Sequence, residues 1–531
     1  MNNRTTFPAL AAALALSGCM VGPNYKQPEA KVPGQFAEAV RMSDAPATQP
    51  TTRPTSAQMD VVEWWRQFND PVLTGLVERG VKSNNNLQLA EARLTEARAN
   101  IGVISPDLWP TVNASGDYSR TRRSKNGGGG AGRSSGGTGG TSGGGGNSPN
   151  VQIPSTDRES DLYQAGFDAS WELDVFGGTR RAIEGARAQV EAAEWNRRDA
   201  LVTLLGDVAR NYVTARGLQR RIQINEANLR SQRDSVELTR SRFRAGLTSD
   251  LDVAQAEAQA ATTAAIIPSL TTQLRQTIHG ISILLGEEPN AVAEQILTTY
   301  RAEPLPGATA NVPVGLPSDL LRRRPDIRAA ERNLAAANAN IGVAVADLFP
   351  RFSLTGALGW QSDATKNLLS VNSLFWNVGP SVSWTILDFG RIRANVAVQD
   401  ARQQQALAQY QQEVLDTLKE VEDALVAFDQ EQIRRQRLAE AVAAQQRAVD
   451  LSEQLYARGL GDFLSVLVAQ RALNTAQDDL VQSETAVTTN LVALYKALGG
   501  GWEAYEPNHR RPQPAPSQEG PRKPAPVAMS Q

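Results

Sequence analysis

The residues with the clearest chemical potential lie at the start of the chain. Cys19 is the only cysteine among 531 residues. It follows an apolar run from Phe7 to Leu16, which is preceded by Arg4. The run has about the length of the apolar region of a signal peptide and is shorter than the roughly 20 residues of a membrane-spanning helix. We therefore expect the thiol to lie at a processing site, with an ordinary buried cysteine as the alternative.

The four residues Leu16, Ser17, Gly18 and Cys19 resemble the lipobox of bacterial lipoproteins. The resemblance implies that residues 1–18 are removed as a signal peptide. Cys19 then becomes the first residue, with diacylglycerol on its sulfur and an acyl chain such as palmitate on its amine. Several chains on one residue exceed the weak hold of a single acyl chain. Met20 replaces the aspartate that usually retains lipoproteins at the inner membrane, which points to the outer membrane of a Gram-negative cell.

Other chemistry is disfavoured by composition. His279 and His509 lie far apart and there is no second cysteine, so a His/Cys metal site is not expected. No Ser-His-Asp or Cys-His spacing suggests an enzyme, and no cofactor is expected beyond the acyl groups. The net charge of -2 suggests no nucleic-acid partner. No apolar run reaches 18 residues, so any part that spans a membrane is expected to be β-structure.

The chain contains an internal repeat. Residues 99–110 recur at 339–350, an offset of 240, whereas residues 243–247 recur at 456–460, an offset of 213. The offset changes because the first repeat carries extra residues, which we place in the glycine- and serine-rich insertion at 126–149. We expect this insertion to be a flexible loop. This pattern indicates duplication of a large substructure, with the first repeat in residues 61–300 and the second in 326–501.

Each repeat contains two segments in which apolar and polar residues alternate. This period of two over about ten residues is typical of a transmembrane strand, although a soluble sheet with one buried face is the alternative for any single segment. Because four strands do not close a barrel and open edges in lipid leave backbone groups unpaired, several copies must share one barrel. The predicted segments are Val112–Tyr118, Tyr163–Leu173, Phe352–Trp360 and Trp376–Ile386.

Long helices are predicted in both repeats. An uninterrupted helical pattern covers about 180–244 and again about 392–458. Gly246 and Gly459 end these patterns, and a return helix follows each, with Ser249 as a plausible N-cap in the first repeat. A soluble helical bundle is the alternative, but helices of this length suit a tube across a compartment better than a globular core.

These features together resemble the TolC-like outer-membrane channel family, in particular the NodT-type lipoproteins that serve resistance–nodulation–division (RND) efflux pumps. The resemblance covers Cys19 to about Gly501. It is carried by CMVGPNYKQP from Cys19, WWRQFNDP from Trp64, NLQLAEAR from Asn86 and VPVGLPSDLLRRRPDIRAAE from Val312.

The resemblance implies a mixed, mainly α fold, with a long coiled α-helical barrel and four transmembrane β-strands per chain. Three chains are expected to form a homotrimer with a 12-stranded β-barrel in the outer membrane, the helices extending into the periplasm. The implied function is a passive exit duct for drugs or other small molecules. Its implied partners are a periplasmic adaptor (membrane fusion) protein and an inner-membrane RND pump.

The resemblance also places a gate at the periplasmic tips near Gly246 and Gly459. In the family the closed tip is held by polar links, which fall at Tyr456 and Asp252 in this chain. The alternative for these two residues is a surface tyrosine and a solvated helix charge.

Three positions at the tips depart from the family pattern. Ser465 and Val468 occupy the usual positions of an aspartate ring, and Gly461 occupies that of an arginine. We therefore expect a differently built gate, in which Asp462 is a candidate for the ring.

The segments before, between and after the two repeats are expected to have structural roles. Residues 19–60 are expected to be a lipid-anchored tether, 301–325 a connector and 502–531 a disordered proline-rich tail. In the connector, Arg322, Arg323 and Arg324 suggest partner docking, but entry into a helix at Pro325 with solvated or paired arginines is preferred.

Two other functions remain open from the residues. One is a type I protein secretion channel, which the lipobox and the NodT-type motifs disfavour. The other is a non-conducting trimeric coiled-coil scaffold, which has no need of strands with a polar face.

Overall fold

The described chain is mainly helical and contains one four-stranded antiparallel sheet. The computed structural model describes residues 20–30, 32–44, 61–122, 159–298 and 317–506. The lipobox with Cys19 and the insertion at 126–149 lie outside these ranges. In chain order, the elements are α1 (Ala37–Asp44), α2 (Pro71–Ser83), α3 (Asn85–Ile104), β1 (Thr111–Arg122), β2 (Glu159–Leu173), α4 (Gly178–Arg244), α5 (Asp250–Leu284), α6 (Ala293–Thr298), α7 (Pro317–Arg323), α8 (Pro325–Ala346), β3 (Arg351–Ser362), β4 (Leu374–Ser383), α9 (Arg391–Ala457) and α10 (Phe463–Ala497).

The described residues divide into two compact units. The strand unit comprises residues 20–25, 99–122, 159–187 and 336–403, and the helix unit comprises the remainder. No helix in the described ranges is both long and apolar enough to cross a membrane.

The sheet of the strand unit has the order β1-β2-β3-β4. Its register places apolar residues opposite apolar residues, as in Phe167 opposite both Ala114 and Leu358. The other face is mainly polar, as in Asn113 opposite Asp168, although Phe375 also lies on it, opposite Gly359. Because side chains alternate along a strand, this register gives the sheet one apolar and one polar face. The predicted alternation is therefore present in the sheet.

The repeat is preserved in the hydrogen bonds of the strand unit. The indole Nε1 of Trp171 donates to the carbonyl oxygen of Leu108 at 2.9 Å, and the repeat-equivalent Trp384 donates to that of Leu348 at 3.1 Å. The two hairpins also pair in the same register. Thr111 lies opposite Ser170, and the equivalent Arg351 lies opposite Ser383. The internal repeat is thus confirmed.

The fourth strand ends earlier than its sequence pattern predicted. It stops at Ser383, whereas alternation continues to Ile386. Ser383 lies opposite Arg351, the first residue of β3, so no residue of β3 remains to pair beyond it. A strand requires a neighbour for its backbone groups, and residues 384–386 have none within this chain's sheet.

The two long helices, α4 and α9, have 67 residues each, and the return helices α5 and α10 have 35 each. In the helix unit, the return helices contribute to a core around two tryptophans. The ring of Trp64 stacks on that of Tyr495 with centroids 5.3 Å apart, and Trp65 stacks on Tyr505 at 6.0 Å. Phe36, just before α1, is buried in the same core.

The structure agrees with the predicted helix start at Pro325 but not with the predicted start of the C-terminal tail. Pro325 is the first residue of α8, as the helix-entry interpretation requires. The predicted boundary of a disordered tail at residue 502 is wrong, because Trp502–Tyr505 form a short 3-10 helix that packs on the core. The aromatic rings of Trp502 and Tyr505 supply apolar area that a disordered segment lacks. Residues 507–531 lie outside the described ranges.

Candidate functional site at the helix tips

The two helix tips of the helix unit are built alike. Gly246 follows α4 with a φ of +73°, and Gly459 follows α9 with a φ of +74°. The amide of the residue after each glycine donates a hydrogen bond back to a carbonyl of the helix. The amide of Leu247 bonds to the carbonyl of Arg242, and that of Leu460 to the carbonyl of Leu455, both at 2.9 Å. A left-handed residue at the end of a helix favours glycine, since it has no Cβ.

A serine and an aspartate cap each return helix, but in opposite order. In α5, Ser249 is the N-cap and Asp252 returns the bond, its Oδ2 accepting from the Ser249 amide at 3.3 Å. In α10, Asp462 is the N-cap and its Oδ1 accepts from the Ser465 amide at 3.0 Å. Ser249 and Asp462 are repeat equivalents, as are Asp252 and Ser465. Each aspartate therefore bonds to the start of its own helix.

These caps also set the charge of the second tip. The side-chain hydrogen bond from Ser465, followed by the bond from its backbone amide, lowers the pKa of Asp462. Because of these two bonds, the exposed Asp462 holds its negative charge to lower pH than an ordinary aspartate.

Tyr456 is buried beneath the second tip, contrary to the interpretation as a surface tyrosine. Its ring centroid lies 5.4 Å from that of Phe463. The guanidinium carbon of Arg242 lies 4.6 Å from the same ring centroid, and Arg242 Nη1 donates to the carbonyl of Ala457 at 3.2 Å. Such a cation–π contact links the end of α4 to the end of α9.

The structure does not join the two predicted lock residues within one chain. The Tyr456 hydroxyl is buried and has no hydrogen-bond partner among the described residues. Asp252 Oδ2 accepts instead from the hydroxyl of Thr248 and from the amide of Ser249. A link between Tyr456 and Asp252 stays a prediction for the assembled protein.

Sequence reasoning missed Arg242 and Phe463 as tip residues. Arg242 is one of several arginines near the end of α4, and no spacing marks it as the one that covers Tyr456. Phe463 had a usable signal, because an apolar residue directly after the N-cap Asp462 is positioned to pack beneath the turn. It joins a small apolar cluster under the tips, whose buried members are Val236, Ala256, Tyr456, Phe463, Val466 and Leu467.

An acidic groove of about 550 Å³ lies beside this cluster, between α4, α9 and α10. Asp234, Asp450 and Glu453 are among its lining residues. Glu453 accepts from the side-chain amide of Gln470 at 2.9 Å. Val468, which stands at one of the family's usual aspartate positions, is exposed.

Each tip also exposes two leucines at repeat-equivalent positions. Leu247 and Leu251 lie on the first tip, and Leu460 and Leu464 on the second. Both tips therefore present apolar side chains to solvent at matching places.

The segment that follows Cys19 is fixed in the strand unit, although Cys19 itself lies outside the described residues. The Val21 amide donates to the carbonyl of Phe176 at 3.1 Å. The buried side chain of Arg181 donates to the Val21 carbonyl at 3.1 Å and to the Asn24 side chain at 2.7 Å. The chain next to Cys19 is therefore held in one place.

Within the described ranges, no group of His, Cys, Asp or Glu side chains is arranged to bind a metal ion.

Comparison with known proteins places this architecture in context. A family model described as outer membrane efflux protein matches residues 76–287 and 316–500. Nodulation protein T of Rhizobium leguminosarum bv. trifolii is 34% identical over 490 residues, 92% of this chain and 96% of the relative. The toluene efflux pump outer membrane protein TtgI of Pseudomonas putida is 31% identical over 501 residues, 92% and 97% of the two chains. The solved outer-membrane channel OprN matches with a TM-score of 0.78 at 34% identity, over 91% of this chain and 100% of that one.

Proposed function

Because this chain belongs to the outer membrane efflux protein family, we propose that it is the outer-membrane channel of a tripartite efflux system. It provides a passive exit duct for drugs or other small molecules across the periplasm and the outer membrane, and it catalyses no reaction. The observation that carries the proposal is the family match over both repeats, at residues 76–287 and 316–500. Curated relatives that cover nearly the same length are outer-membrane efflux components by name.

The proposed assembly is a homotrimer with a shared 12-stranded barrel. The four-stranded sheet supports it, because β1 and β4 each have one edge without a neighbouring strand among the described residues, and unpaired edges are unfavourable in lipid. The proposed partners at the tips are a periplasmic adaptor protein and, through it, an inner-membrane RND pump. The exposed leucines of both tips support a protein contact there.

The function is tested by the accumulation of a panel of dyes and antibiotics in cells. A deletion strain is expected to retain more of at least some compounds, and complementation is expected to restore export. Unchanged accumulation together with the loss of a secreted protein would instead favour a type I secretion channel. Trimers that never conduct in planar bilayers, even with the tips opened by mutation, would favour a scaffold.

The lipid anchor is a further part of the proposal. Cys19 carries diacylglycerol and an N-acyl chain, and the clamp of Arg181 on Val21 and Asn24 supports a fixed position for that end of the chain. Cys19→Ser is expected to abolish labelling by radioactive palmitate, while the strands still hold the protein in the outer membrane. Ser17→Ala keeps a small residue before the cleavage site and is expected to label normally. Persistent labelling of Cys19→Ser contradicts the anchor.

We propose Gly246, Asp252, Tyr456, Gly459 and Asp462 as the gate region. The buried ring of Tyr456 supports this proposal, because it holds the ends of α4, α9 and α10 together through Arg242 and Phe463.

The gate is tested by single-channel conductance. Tyr456→Ala removes the ring and is expected to raise conductance severalfold, whereas Tyr456→Phe keeps the ring and should stay near wild type. Phe243→Ala, at the exposed repeat-equivalent position, is the control and should leave the channel closed. If Tyr456→Phe opens the channel as much as Tyr456→Ala, the hydroxyl link implied by the family resemblance holds the gate instead of the ring.

A further inference from the structure

Two large apolar residues interrupt the polar face of the sheet. The side chains of this face occupy every second position along each strand. Leu162 of β2 lies on it opposite Ser119, and Phe375 of β4 lies on it opposite Gly359. Among the described residues of the four strands, no other leucine, isoleucine, valine, methionine or aromatic residue lies on that face.

The two exceptions occupy the same position in the internal repeat. Leu162 and Phe375 are related by the offset of 213 that also relates Trp171 to Trp384. Leu162 is the fourth residue of β2 and Phe375 is the second residue of β4, so both lie near the hairpin end of their strands. The other ends of β2 and β4 lead to the long helices α4 and α9. An apolar side chain therefore recurs at one level of the polar face, at the end away from the helices.

Packing within the sheet explains only one of these two residues. Phe375 covers a glycine, because its Cε1 lies 3.1 Å from the place where a Cβ on Gly359 would stand. An aromatic ring over a glycine stabilises a sheet. Leu162 has Ser119 opposite it, which leaves no such gap to cover. Since the apolar character recurs without the glycine, it points to a contact outside the sheet.

The same face has an acidic balance of charge. Among the described strand residues it carries three acidic side chains and one basic side chain, namely Asp117, Asp168, Glu172 and Arg351. Arg351 is paired with Asp347 at 2.6 Å. Asp117 is exposed and lies diagonally across from Leu162, at the roughly 7–8 Å that separates such neighbours. The surface that holds the two apolar side chains therefore attracts positive charge.

We infer that Leu162 and Phe375 form a contact site in the duct for the apolar part of a cationic, amphiphilic cargo molecule. The inference rests on the proposed function, in which the polar face lines the duct, and it adds a class of cargo. A homotrimer presents the pair once per chain, near the end of the duct away from the helices. Each contact buries little apolar surface and is therefore weak. Weak contact suits a duct, because a molecule that binds must also leave.

Interruption of the current in planar bilayers tests the site. One probe is tetraphenylphosphonium, a cation that carries phenyl rings, and the other is tetramethylammonium, which has the same charge without rings. In full-length trimers opened by Tyr456→Ala, tetraphenylphosphonium is expected to cause brief interruptions, whereas tetramethylammonium causes none. Leu162→Ser with Phe375→Ser is expected to shorten the interruptions about tenfold, the effect of losing contact over roughly 60 Å² of apolar surface.

Two further variants separate contact with cargo from packing in the sheet. Phe375→Leu removes the ring that covers Gly359 but keeps an apolar side chain, and it is expected to retain most of the interruption time. Asn377→Ser changes the next polar-face position of β4 and is the matched control, with interruptions equal to those of its parent.

Three results overturn the contact site alone. They are interruptions of unchanged length in the double serine variant, equal shortening in that variant and in Phe375→Leu, and an open parent channel that tetraphenylphosphonium never interrupts. Trimers that never conduct, even with Tyr456→Ala, overturn the duct of the proposed function and the contact site with it.

Discussion

Replacing Asp70 with alanine is expected to lower the free energy of unfolding of the helix unit by about 3–5 kcal/mol, the usual effect of removing one partner of a buried ion pair. Asp70 is buried at the start of α2, where its Oδ1 accepts from the amides of Val72 at 2.9 Å and Leu73 at 3.1 Å. Its Oδ2 accepts from the hydroxyl of Tyr212 at 2.6 Å and faces Arg216 Nη1 at 3.4 Å.

The size of the effect follows from what remains after the substitution. Arg216 is buried, and its guanidinium stays charged because arginine is not deprotonated in proteins. The substitution therefore removes the neighbouring carboxylate from a buried charge. The amides of Val72 and Leu73 lose their cap as well. Desolvation is the largest cause that raises the pKa of Tyr212, and it remains after the substitution, so the phenol stays protonated and does not replace the lost charge.

The measurement is the midpoint of thermal unfolding in detergent. Asp207→Ala is the control, because Asp207 pairs with Arg210 at 3.1 Å on the surface, where an ion pair contributes about 0–1 kcal/mol. Equal midpoints for the two variants would show that the buried ion pair contributes no more than a surface pair.

Replacing Arg324 with methionine is expected to lower stability by a similar amount, about 3–5 kcal/mol near neutral pH. Arg324 is buried at the entry to α8 and donates to Glu420 at 2.6 Å and to the carbonyl of Ala497 at 2.7 Å. Its Nε also donates to Asp326 at 3.1 Å. Without the guanidinium, these carboxylates lose the charge that offsets their mutual repulsion.

This loss is expected to depend on pH because of Asp199. Burial, followed by the charge of Asp326, raises the pKa of Asp199 to about 6, and Arg324 opposes that rise. An unfolded aspartate has a pKa of about 3.9, so the folded chain binds more protons between the two values. Asp199 therefore lowers stability as the pH rises from about 4 to 6. Removing Arg324 raises the pKa of Asp199 further. The loss of stability in Arg324→Met is therefore larger at pH values above that pKa.

Thermal midpoints at pH 5 and pH 7.5 measure this dependence. We expect the deficit of Arg324→Met to be clearly smaller at the lower pH, where Asp199 gains a proton. Arg322→Met removes the same charge from an exposed position and serves as the control. If Arg324→Met lowers the thermal midpoint by the same amount at both pH values, the role given to Asp199 is wrong. If it lowers the midpoint no more than Arg322→Met does, the role given to Arg324 is wrong.

Local signals in the sequence predicted much of the fold. Ser249 was identified as an N-cap and Pro325 as a helix start, because both effects act within one turn of the chain. The four strands followed from alternation, which depends only on the period of side chains along a strand. Their pairing was not predicted, and the structure shows that both hairpins pair in the same register.

Tertiary contacts account for what the sequence did not predict. Three consecutive arginines precede Pro325, and only the packing of α8 against α9 and the end of α10 selects Arg324 for burial. At the tips, Arg242 covers Tyr456 from a helix more than 200 positions away in the chain. No short-range pattern encodes such a partner. The predicted tail began too early because single aromatic residues anchor its first turn.

The exchanged caps have a consequence for symmetry. On the second tip the aspartate, Asp462, is the N-cap itself, whereas on the first tip the aspartate, Asp252, lies three residues after the N-cap. The two tips of a chain therefore have the same backbone but carry this negative charge at different positions. Around the proposed ring, the tips therefore alternate between two electrostatic patterns. A partner that rotated by one tip would meet the other pattern. The backbone of the ring repeats with every tip, but its charges repeat only with every chain, and this gives a bound partner a preferred angular setting.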